Sequence, residues 1–103
     1  MLSRDIEIPH LNYTVRVRPY RKAPVGFEGA QAFTQRTSQW SSTIHLKRNA
    51  SPAIIAHEIV HVLQNLCRDR HMEFTIESEH MAYLMQYLMM TIDGGCWYRP
   101  KRT

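Results

Sequence analysis

The pentapeptide His57-Glu58-Ile59-Val60-His61 constrains this 103-residue chain more than any other segment. It is flanked by Ala53-Ile54-Ile55-Ala56 and Val62-Leu63, with Ser51 and Pro52 just ahead. Serine is a strong N-cap and proline suits the first helical turn. Ile55, Ile59, Val62, Leu63 and Leu66 then recur at three- and four-residue steps, which predicts an amphipathic helix over 51–69. On a helix, residues four apart lie one turn above each other, so His57 and His61 aim ring nitrogens at one point. Glu58 is rotated by about 100° from His57. It is badly placed to join the same ion and well placed to reach a water held there. Two neutral nitrogen donors, a polarised water and a base are the parts of zinc-assisted hydrolysis. Chance spacing is the competing reading. Against it, a core helix seldom carries two imidazoles without partners for their nitrogens.

A catalytic zinc takes three protein ligands and keeps a position open. Downstream donors are His71, Glu73, Glu77, Glu79 and His80. A second helix is expected over 75–93, with Thr75 as N-cap, an apolar stripe through Met81, Leu84, Met85, Leu88 and Ile92, and Gly94-Gly95 closing it. Glu79 is the expected third ligand, because Ala82, three residues on, is small enough to let the two helices approach. Glu77 is already explained by the helix dipole. His80 points about 100° away from Glu79. Glu77 and His80 remain the alternatives.

His57-Glu58-Ile59-Val60-His61 followed by Glu79-His80-Met81-Ala82-Tyr83 resembles the gluzincin class of zinc metallopeptidases. It is most similar to the small single-domain peptidases of phage and prophage genomes, in which H-E-x-x-H-x-x-Q and a later E-x-x-A-Y recur. Gln64 and Tyr83 match the additional positions, and the strong match spans residues 51–92. The resemblance implies zinc on His57, His61 and Glu79, with Glu58 as general base. The third histidine of the metzincins and the cysteine-rich zinc ribbon of related nucleic-acid-linked proteases have no counterpart here.

One domain is expected at this length, burying a little over 60% of its unfolded surface. No residues are left for a second lobe. The cleft is therefore expected to be shallow, or completed by a second subunit in a homo-oligomer or by the substrate. Met1-Leu2-Ser3-Arg4-Asp5 runs into charges with no apolar run behind, so no secretion signal is expected. The apolar stretch from Met81 to Ile92 is short for a membrane span and is interrupted by Gln86. The expected location is cytoplasmic, with no membrane partner. Cys67 and Cys96 read as free reduced thiols, and Cys67 lies too far along the helix to share an ion with His61. The net charge is +4. Arg16, Arg18, Arg21 and Lys22 cluster early, and Arg99, Lys101 and Arg102 fall in the segment 94–103. A solvated face and a loose basic tail explain them better than nucleic acid or an acidic protein partner.

The first 50 residues read as a sheet region. Leu11, Tyr13, Val15 and Val17 alternate with Asn12, Thr14, Arg16 and Arg18, as in a half-buried strand. Pro19 and Pro24 are expected to bracket a turn. A weaker strand follows over 26–35 and a third over 40–47. Three strands before two helices predict an α+β domain, a small antiparallel sheet with both helices on one face, minimal and zincin-like. The 40–47 strand is expected at the sheet edge, where an extended peptide could add to it.

The functional expectation is zinc-dependent hydrolysis of a protein or peptide, with Glu58 as base. Tyr83 is a candidate oxyanion donor, with a plain core aromatic as the equal alternative; His45 and His80 are weaker candidates. A second expectation is a catalytically silent zinc-stapled binding module for a host or phage factor, with His80 or His71 as a fourth ligand. Nucleic-acid association through the arginine strand is the third, marked by steep salt dependence.

Overall fold

The computed structural model describes residues 3–23, 25–27, 29–75 and 78–92. Strands β1 (Arg4–Ile8), β2 (Tyr13–Tyr20), β3 (Ala32–Ser38) and β4 (Ser41–Lys47) precede helices α1 (Pro52–Asp69) and α2 (Glu79–Ile92). They form a four-stranded sheet in the order β1-β2-β4-β3. One face carries Tyr13, Val15, Val17, Ile44 and Leu46, all fully buried. Against it pack Ile55, Ile59, Val62, Leu63 and Leu66 of α1, with Leu84, Leu88 and Ile92 of α2 completing the core. The α+β architecture follows from that division: two-residue alternation before residue 50 and helical spacing after it.

Three details differ from the sequence expectation. The sheet has four strands, because Arg4–Ile8 pairs antiparallel with β2 and sets Ile6 opposite Val15 and Ile8 opposite Tyr13. A 3₁₀ turn, Pro9–Leu11, joins the two strands and closes on Asn12, whose φ of 50° is left-handed and whose N–H donates to the Pro9 carbonyl. The sheet is mixed rather than antiparallel: β2 and β4 run parallel while β3 and β4 are antiparallel. Strand β4 therefore lies in the interior, flanked by β2 and β3. Peptide addition to an edge at 40–47 is ruled out by that position; the edges are β1 and β3. The physical reason is burial on both faces of β4, where Thr43 is covered as well as Ser42 and Ile44.

Pro19 lies within β2 instead of bracketing a turn, and Pro24 lies outside the described residues. Among the described residues β1 pairs with β2 no further than Val17, which leaves one side of Pro19 without a strand that needs its N–H.

Helix α1 begins where Ser51 and Pro52 predict: the Ser51 hydroxyl accepts from the Ile54 amide at 3.3 Å. At its far end Arg70 ties three segments together. Its guanidinium donates to the carbonyls of Leu11, Asn12 and Gln39 at 2.8, 2.9 and 3.0 Å and lies over the Trp40 ring. Helix α2 starts later than expected. Ser78, not Thr75, is the cap: its hydroxyl accepts from the Met81 amide at 3.3 Å and its carbonyl from Ala82 at 3.1 Å. The Ser78 amide in turn donates to the Thr75 carbonyl at 3.1 Å. Gly94-Gly95, Cys96 and the basic segment 94–103 lie outside the described residues. Among the described residues no helix is long and apolar enough to cross a membrane.

Candidate metal centre

His57 and His61 stand on the exposed side of α1, opposite the stripe that meets the sheet. Their Nε2 atoms are 3.3 Å apart and the rings meet edge-on at 77°. Two nitrogen ligands of one tetrahedral zinc, each about 2.0–2.1 Å from the metal, lie about 3.3 Å from each other. The imidazole pair thus fits a single ion. Gln64 sits next to it: its Oε1 is 3.3 Å from His61 Nδ1. Accepting the Nδ1 proton there leaves His61 Nε2 bare for a cation and fixes the ring.

Glu58 turns the other way, toward the sheet. It is 6% exposed, and its Oε1 accepts a hydrogen bond from the Thr34 hydroxyl at 2.6 Å. Thr34 lies on edge strand β3, opposite Ile44 of β4, so it shares the helix-facing side of the sheet. Among the described residues Glu58 has no ion-pair partner. Arg36, the nearest cation along β3, is bridged to Asp69 at 2.9 Å.

A hollow of about 420 Å³ opens between α1 and β3, lined by Ala32, Phe33, Thr34, Arg36, His57, Glu58, His61 and Asn65. Behind it runs a polar row. Asn65 Nδ2 donates to Ser42 Oγ at 3.2 Å, and Ser42 shares a 2.7 Å hydrogen bond with the Tyr13 hydroxyl. Burial pushes the Tyr13 phenol above its ordinary range, although the bond to Ser42 pulls the other way.

Glu79 is the first residue of α2 and is exposed. Ala82, one turn on, is exposed and lines an apolar crevice with Val60 and Leu63 of α1. The carboxylate itself is not gathered with the imidazoles: among the described residues no three His, Cys, Asp or Glu side chains converge. Glu77 lies outside the described residues. His80 faces away from α1 and meets His10. Tyr83 is 65% exposed and lines a separate hollow with His10, His80 and Tyr87, not the one beside Glu58.

His45 lies on the opposite face of the sheet, stacked on Phe33 at 4.4 Å and bonded to Gln35. Burial, with Arg18 nearby, holds it below the usual histidine range. His71 follows α1 with a left-handed φ of 54°. Cys67 is a buried free thiol 3.6 Å from the Met81 sulfur, and burial pushes it up.

Thr34, Arg36 and Asn65 were not readable as site residues in advance. Asn65 carried a signal, being four residues beyond His61 on the same helix. Thr34 and Arg36 carried none, because the register of β3 decides which of its residues face α1.

No family model matches the chain. No curated protein matches it, and neither does any solved structure.

Proposed function

We propose that this protein is a zinc-dependent peptidase in which His57 and His61 hold the ion and Glu58 is the general base, with Glu79, which stands apart from the imidazoles in the fold, closing on the ion as third ligand. One observation carries the reading. A buried carboxylate without an ion-pair partner is costly to keep, and among the described residues Glu58 has none. It sits next to two imidazoles whose spacing suits zinc. When bound, zinc would supply Lewis acidity toward a water and the scissile carbonyl.

The rest is the work of the chain. Glu58 takes the water's proton and delivers it to the departing amine. The Thr34 hydroxyl holds the carboxylate in one orientation while leaving its second oxygen to act. Asn65 and Arg36 line the same hollow and offer N–H donors to a developing oxyanion. Strand β3, an open edge, offers backbone groups to an extended substrate. The substrate class is therefore an unfolded protein or flexible peptide, and a reducing cytoplasmic setting suits the free thiol of Cys67.

The silent-module alternative draws on His80 as a further ligand, and His80 is turned to His10. Chelator treatment tests the proposal. Hydrolysis of a fluorogenic peptide library is expected to stop on metal removal and to return with one equivalent of zinc. Hydrolysis that continues unchanged in excess chelator, or that never occurs in zinc-loaded protein, contradicts it.

A further inference from the structure

The chain brings together a second pair of imidazoles, this time from distant parts of the sequence. His10 belongs to the 3₁₀ turn between β1 and β2, and His80 to the first turn of α2. Their Nε2 atoms are 3.2 Å apart, with ring planes tilted by 42°. The separation nearly equals the 3.3 Å between His57 and His61. It is also close to the roughly 3.3 Å between two nitrogens on one tetrahedral ion.

Apart from the imidazoles the surroundings are mostly apolar, so the two ring nitrogens are the ligands this place offers. The pair borders a hollow of about 410 Å³ whose other walls are Ile8, Pro9, Tyr83, Leu84 and Tyr87. Among the described residues no lysine or arginine lines it. The Tyr87 hydroxyl donates to the Glu7 carbonyl at 3.0 Å, so α2 is already fastened to β1 on the same side. The two helix-borne sites are separate: α2 turns Met81, Ala82 and Met85 toward α1, and His80 and Tyr83 toward the β1–β2 turn.

We propose that His10 and His80 clamp a second divalent cation of the borderline type that imidazole prefers, zinc, nickel or copper, with solvent filling the remaining positions. The ion would cross-link the β1–β2 turn to the start of α2. On the reading in which Glu79 ligates the first ion, the clamp also steadies the turn that presents it, since Glu79 and His80 are neighbours.

The test uses the full-length, untagged chain carrying His57→Ala and His61→Ala, which removes the first pair from an exposed helix face. Calorimetric titration with nickel and with zinc is expected to give one ion per chain, and saturation to raise the melting temperature by several degrees. Adding His10→Ala, or separately His80→Gln, is expected to weaken binding at least tenfold and abolish the thermal shift. With copper, the electron paramagnetic spectrum is expected to show two equivalent imidazole nitrogens. Absence of stoichiometric binding in the double variant overturns the proposal and leaves the pair as an imidazole–imidazole hydrogen bond. Binding that survives both His10→Ala and His80→Gln overturns it equally. An ion lost with His57 and His61 alone would sink this clamp and leave the peptidase reading standing. An ion lost only with His10 or His80 would do the reverse.

Discussion

Glu58→Gln is expected to retain zinc and fold while losing peptide hydrolysis by about 10³-fold, within the range a positioned base contributes. The substitution keeps the shape of the side chain. The amide oxygen can go on accepting from Thr34, which now donates to the carboxylate at 2.6 Å. His57 and His61 are untouched, so metal content should match the parent. The isosteric amide keeps the packing and the bond to Thr34, so stability should stay close to the parent's. Three readings check this together: kcat on a fluorogenic peptide, zinc per chain, and a thermal melt. A variant that hydrolyses at the parent's rate would remove Glu58 from the role of base.

The largest effect on stability is expected from Ile59→Ala. Ile59 sits between Glu58 and Val60 on the inward side of α1 and is fully buried in the core against the sheet. Truncating a buried isoleucine to alanine costs about 2–5 kcal/mol through lost transfer energy and the cavity left behind. A domain this small has about 5–15 kcal/mol in total. At about 4–8 °C per kcal/mol for such a domain, the melting temperature should fall by at least about 8 °C. Zinc retention should fall with it, since a site that exists only in the folded chain is lost when the fold is. Urea denaturation measures the effect directly. A change below about 1 kcal/mol would mean that α1 is not docked through this face, against the usual cost of such truncations.

How much was legible depended on how local each contact is. Helix α1 reads from sequence nearly to the residue, because its cap, its proline and its apolar stripe all agree. The His57–His61 pair is equally legible, since four residues along one helix fix its geometry. The start of α2 is not: Thr75 and Ser78 are both good caps, and the bond from the Met81 amide to the Ser78 hydroxyl decides in favour of Ser78. Strand β1 has two inward apolar residues, Ile6 and Ile8, too few to mark a strand by alternation. The parallel pairing of β2 with β4 was invisible because alternation is the same in both senses of pairing. Interior β4 follows from it, as does the choice of β3 as the edge beside Glu58. Contacts across the chain were least accessible. Thr34 meets Glu58 only through the register of β3, and His10 meets His80 across 70 residues. Tyr83 joins the His10 side because α2 turns its Met81–Met85 side to α1.

The proposed peptidase chemistry requires that His57 and His61 share one cation with Glu58 beside it as a base. Anomalous diffraction at the zinc edge, on crystals of zinc-loaded full-length protein, tests it most directly. A strong peak is expected about 2.0–2.1 Å from the Nε2 atoms of both His57 and His61, with a carboxylate oxygen of Glu79 at similar range and one position left to solvent. Zinc-loaded crystals with no peak between the two imidazoles would contradict it.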